Sequence, residues 1–129
     1  MRSDSTYDTS VLDNIPRQVY NILDDVGAPC HLSGYDMVAY ALSLALEDVS
    51  CLSNLSKNLY PKLGNVFNKP TANIERCIRN LIEYTFLNGD ACVLNSYFGN
   101  QIQSGKSKVT NVQFLFILYR VLKGIKVVN

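Results

Sequence analysis

Residues Leu59–Leu87 read LYPKLGNVFNKPTANIERCIRNLIEYTFL. Pro61 suits the first turn of a helix, where a missing N–H goes unnoticed. Leu63, Val66 and Phe67 then face one side over about 61–67. Asn68-Lys69-Pro70-Thr71 interrupts that pattern, and asparagine tolerates the left-handed backbone a tight turn needs. Beyond it, Ile74, Cys77, Ile78, Leu81, Ile82 and Thr85 form the inner stripe of a longer helix that runs to about Asn88 and stops at Gly89. Two helices crossing near a right angle need a small residue where they touch. Gly64, four positions before Asn68, supplies it at about 1 kcal/mol of helix propensity. The stretch therefore reads as a helix-turn-helix whose second helix, about 71–88, is expected to enter a DNA major groove.

The outer face of that second helix carries the chemistry. Asn73, Glu75, Arg76, Arg79 and Asn80 are the candidate base readers: arginine grips guanine and asparagine grips adenine by paired hydrogen bonds, and glutamate accepts from cytosine or orients an arginine. Glu75 and Arg79 are also spaced to pair with each other on a solvated helix. Lys57, Lys62, Lys69 and Thr71 flank the same element, and Lys106 and Lys108 sit on a polar segment. These are the candidate phosphate contacts, which set register rather than sequence.

The rest of the chain reads as support, in the order of an all-α bundle of about six to seven helices. Residues 1–13 are polar and acidic and are expected to form a flexible tail, with residues 14–129 as the helix-turn-helix domain. Asn14 is placed to cap a first helix of about 15–26, with Pro16 in its first turn and Gly27 as its stop. Ser33 and Asp36 have nearly the spacing of a capping box. They precede YDMVAYALSLALEDV, apolar almost all round and so expected to be a buried central strut over about 35–48. Leu52, Leu55 and Leu59 suggest a short third helix. Asp90 is placed to cap a short helix ending at Phe98-Gly99, Asn100–Val109 reads as a loop, and Thr110 or Asn111 opens a last helix that Gly124 ends.

Charge is divided along the chain. Residues 1–50 hold eight acids against two bases, net −6, and residues 51–129 hold three acids against ten bases, net +7. A polyanion partner is expected on the basic side. The 129 residues are 47% hydrophobic, enough for a core without disulfide or metal. The four cysteines, at 30, 51, 77 and 92, show no metal-ligand spacing, and buried reduced thiols are expected. No cofactor, metal or enzyme is expected: His31 has no nucleophile at a recognisable spacing, and Ser104-Gly105-Lys106-Ser107 lacks the glycine and preceding strand of a P-loop. No apolar run of about 20 residues marks a membrane span, and no signal peptide opens the chain, so a cytoplasmic protein is expected.

Taken together, several stretches resemble the C-terminal effector domain of the response regulator that starts sporulation in endospore-forming bacteria. They are Val26-Gly27-Ala28-Pro29 with His31 and Gly34-Tyr35; Leu59-Tyr60-Pro61; Ile74-Glu75-Arg76 with Ile78-Arg79; Phe98-Gly99; and Lys106 to Asn111 with Phe114. The resemblance spans roughly Val19 to Leu122. It implies an all-helical transcription regulator that binds double-stranded DNA, with Glu75, Arg76 and Arg79 on its recognition helix and Lys106 and Lys108 in its basic loop. It further implies contact with RNA polymerase, the sigma subunit being the candidate. A single helix-turn-helix reads a short site, so useful affinity is expected to need tandem sites, a dimer on them or the polymerase contacts. The family usually carries arginine where this chain has Asn73, histidine at Asn80, lysine at Ser33 and proline at Val109. An altered target sequence is therefore expected, and the alternative is a helical protein-interaction module that no longer reads bases. A receiver domain usually precedes such a module; the roughly 14–18 residues before the first helix are too few to form one.

Overall fold

The computed structural model describes residues 9–103 and 109–124. Six α-helices run through them: α1 (Arg17–Val26), α2 (Ser33–Glu47), α3 (Tyr60–Phe67), α4 (Thr71–Asn88), α5 (Ala91–Gln103) and α6 (Asn111–Leu122). There is no strand among the described residues. The all-α bundle anticipated from the sequence is the fold.

The central strut is α2. Tyr35, Met37, Val38, Ala39, Ala41, Leu42 and Ala45 are all buried, and α1, α3, α4 and α6 each pack against it. The small side chains let neighbours approach, closest at Gly34. A Cβ there would lie 2.5 Å from the Cys77 carbonyl oxygen and 2.9 Å from Leu81 Cβ. The helix that carries the candidate readers is thus seated on α2 at backbone contact distance. A second close approach joins the ends of α1 and α4. Gly27 closes α1 in the left-handed region at φ 83°, and its Cβ position would be 2.6 Å from Gly89 Cα. The Asp90 N–H donates to the Val26 carbonyl at 3.2 Å, which fastens the two ends together.

Aromatic packing closes the other side. Phe98 and Phe114, both fully buried, stack with centroids 5.4 Å apart and planes 5° apart. Phe86 meets Phe98 edge-on at 5.3 Å. This ties the end of α4 to α5 and α6. Between α1 and α2, the Tyr35 hydroxyl donates to Asp24 Oδ1 at 2.7 Å and its ring stacks on Tyr20. Burial, and then this bond to an anion, push the Tyr35 phenol far above its ordinary value, so the hydroxyl stays a donor.

Several sequence expectations need correction. Asn14 does not cap α1. A 3-10 turn over Thr9–Asn14 comes first, Ile15 N–H donates to the Leu12 carbonyl, and the helix begins only after Pro16, whose backbone is extended. Leu12 is half-buried against the core; residues 1–8 lie outside the described part. Ser33 does not cap α2 either: Leu32 is the capping position, and the Ser33 hydroxyl instead donates to Cys77 Sγ at 3.5 Å. The short third helix is a 3-10 turn, Val49–Leu52, and a single π-turn, Leu55–Leu59, that runs straight into α3. The helical run capped by Asp90 is broken at Phe98-Gly99, where Phe98 leaves helical geometry at φ −115°, ψ 15°, but the loop expected from Asn100 does not follow at once: a second helical stretch continues α5 to Gln103. Three local readings hold as stated. Gly27 stops α1. Asp90 Oδ1 accepts from the backbone of Cys92 and Val93. Thr110, one of the two starts offered, opens α6, and the structure adds a reciprocal capping box with Gln113 that the sequence reading did not include.

Candidate nucleic-acid interface

The turn between α3 and α4 is built as its residues require. Asn68 ends α3 at φ 56°, ψ 52°, the only non-glycine residue with positive φ among those described. Gly64 lies directly beneath the returning chain: a Cβ there would be 2.8 Å from the Lys69 carbonyl oxygen. The Gly64 carbonyl accepts from both Asn68 and Lys69, and the Pro70 carbonyl accepts from Asn73 and Ile74. Glycine and asparagine here are steric necessities of the turn.

Helix α4 buries Ile74, Ile78, Leu81, Ile82 and Thr85, with Cys77 half-buried at the margin. The buried Thr85 hydroxyl is satisfied by the Leu81 carbonyl. At about 100° per residue, the opposite face centres on Arg76, with Arg79 and Asn80 beside it. All three are exposed. Glu75 and Asn73 stand at the two edges, half-buried. Each edge residue holds an arginine. The Asn73 Oδ1 accepts from Arg76 Nη2 at 3.2 Å. Both Glu75 carboxylate oxygens accept from Arg79 Nη1. The face thus consists of two short-range pairs plus Asn80, and the same pairing that steadies the guanidinium groups also keeps them extended along the helix surface.

The phosphate candidates are placed unequally. Lys69 and Thr71 are exposed at the start of α4, and Lys57 is exposed on the turn before α3. Lys62 is exposed on α3 but close enough to Asp48 to help its hydrogen bonds from Ser50 hold that carboxyl below the usual range. Lys106 and Lys108 lie outside the described residues.

The sequence matches the model of a known protein family. The model of the family described as sporulation initiation factor Spo0A C terminal matches residues 19–122. The chain belongs to that family. It is accordingly a helical DNA-binding domain of a transcription regulator, of the sporulation-initiation type and not of an enzyme family. The Spo0A-type assignment agrees with the turn at Asn68 and the exposed arginines of α4. Among the described residues no helix is long and apolar enough to cross a membrane, and no group of three or more His, Cys, Asp or Glu is placed to hold a metal.

Two features of the site escaped the sequence reading. One is Asn111, considered only as a possible helix start. Its side-chain Nδ2 donates to the Tyr60 hydroxyl at 3.0 Å and to the Glu75 backbone carbonyl at 3.2 Å. Tyr60 is 5% exposed, and its burial raises its phenol pKa although the Asn111 bond opposes the shift. The other is an open groove of about 1160 Å³ alongside α4, lined by Leu55, Phe86, Leu87, Val112 and the side chains of Glu75 and Arg79. Leu87 is 78% exposed at its rim. Helical periodicity gave the one signal available: position 87 falls off the inner stripe of α4 yet is leucine.

Proposed function

We propose that this chain is a sequence-specific reader of duplex DNA, with α4 lying in the major groove. Asn73, Glu75, Arg76, Arg79 and Asn80 face the base edges; Lys57, Lys62, Lys69, Thr71, Lys106 and Lys108 hold the phosphates. The observation that carries the reading is the exposed row Arg76, Arg79 and Asn80 on a helix whose other face is fixed to the core. Nothing about an ordinary bundle helix requires two arginines at the centre of its solvent face, directly after a tight turn. One such helix reads a short site, so two copies on tandem sites are the expected binding unit. Asn73 and Asn80 direct the reading toward adenine, the base asparagine pairs with by two hydrogen bonds. Selection of bound duplexes from a random pool at low salt is expected to enrich a short motif. Affinity is expected to fall steeply as salt rises, with a log–log slope of about −0.9 per phosphate neutralised. Enrichment of no motif sinks the proposal.

The groove favours a second role for the same domain. An apolar channel running beside the reading face, with Leu87 at its rim, suits a protein surface of the transcription machinery, the polymerase sigma subunit being the candidate. Leu87→Gln is expected to leave DNA affinity unchanged and to lower activated transcription by purified polymerase severalfold. Unchanged transcript yield removes the groove from this role.

A further inference from the structure

We infer that Asn111 is a positioning residue for base reading: it fixes the rotation of α4 about its axis at the turn that presents Glu75, Arg76 and Arg79. The inference rests on the DNA-reading function proposed above. Three elements meet at this one side chain. The start of α6 is held by the Thr110–Gln113 capping box and by buried Val109 and Phe114. From there Asn111 reaches the buried Tyr60 hydroxyl at the first turn of α3 and the main-chain carbonyl of Glu75 on α4. The partners are 51 and 36 residues away in sequence. The contact on α4 is to backbone, so it constrains the helix itself and not a mobile side chain. A carbonyl oxygen has two lone pairs, so Glu75 keeps its helical bond while accepting from Asn111.

The geometry explains why such a tether matters. An atom about 6 Å from the helix axis moves about 1 Å when the helix turns by about 10°. Hydrogen bonds to base edges tolerate only about 2.7–3.2 Å. A rotation this small is therefore enough to misplace a paired contact. Ile74, Ile78 and Leu81 hold α4 against the core by non-directional contacts; the directional bond to the Glu75 carbonyl adds a fixed angle at the turn that presents the readers.

The test compares wild type with Asn111→Ala and with Asn111→Leu, which keeps about the size and removes the N–H donors without adding charge. Binding is measured for the selected duplex, for its single-base variants and for a scrambled duplex. Both variants are expected to lose about fivefold or more of the discrimination at positions contacted by Glu75, Arg76 and Arg79, with scrambled-duplex affinity and its salt slope unchanged. A uniform loss on all duplexes, or full retention of every base preference, overturns the inference while leaving the DNA reading intact. If wild type itself distinguishes no duplex from another, the reading fails and the inference with it. Exchange of the Asn111 side-chain amide protons in the wild-type protein gives a measurement independent of any variant: slowed exchange is expected, with and without DNA, and exchange at the rate of an exposed asparagine overturns the inference.

Discussion

Gly34→Val is expected to lower the stability of the domain by more than 3 kcal/mol and to abolish DNA binding in whatever fraction stays folded. Overpacking a close contact ordinarily costs about 1–3 kcal/mol, and more where nothing can move aside. Nothing can here. The first added carbon already meets the Cys77 carbonyl oxygen at 2.5 Å, the Cys77 carbonyl carbon at 3.1 Å and Leu81 Cβ at 2.9 Å. Two of these are backbone atoms of α4, and Leu81 is fully buried. The valine methyls would extend the clash further. Relief requires α4 to lift from α2, and α4 carries the reading face. Denaturant titration checks the first part: the midpoint falls with the slope unchanged. Gly34→Ala should show the same direction at about 2 kcal/mol. A near-normal midpoint for the valine variant would mean that the two helices do not approach as described.

The fate of Gly34 shows what the sequence could disclose. Helix termini whose chemistry is complete within four residues were legible: Gly27, Asp90 and Thr110 each act on backbone groups next to them. The Gly64–Asn68 turn was legible for the same reason, because its geometry is closed by neighbours. Ser33 was misread because its hydroxyl has a tertiary partner, Cys77, 44 residues away, and no local rule weighs that competition. The loop expected from Asn100 was misread because Gly99 suggested a full stop, whereas the helix resumes beyond the kink at Phe98, whose ring is stacked on Phe114 and met edge-on by Phe86. The reading face obeyed periodicity, so Arg76, Arg79 and Asn80 could be placed outside from spacing alone. The tether that fixes its angle depends on α6 returning past α4, which is a property of the whole fold.

The largest functional effect is expected from replacing Arg76 and Arg79 together by alanine. Each bidentate arginine contact to guanine is worth about 1–3 kcal/mol of discrimination. The two lie three residues apart on one face, so their effects are coupled and a simple sum is an upper bound. A loss of about a hundredfold in specific affinity is expected, with the preference for the selected motif largely erased. Folding should hardly respond. The Glu75–Arg79 pair has side chains 46% and 40% exposed for Arg79 and Glu75, and a half-solvated pair of this spacing contributes about 0.5 kcal/mol or less. The Asn73–Arg76 bond is likewise at the surface. The double variant also strips Glu75 of its partner and leaves a carboxylate facing the DNA. Scrambled-duplex binding should therefore weaken more than the loss of two positive charges explains, and Glu75→Gln added to the double variant should restore part of it. Anisotropy titrations on selected and scrambled duplexes, beside denaturant midpoints, separate these effects. Retention of the motif preference by the double variant would place base reading on another element of the fold.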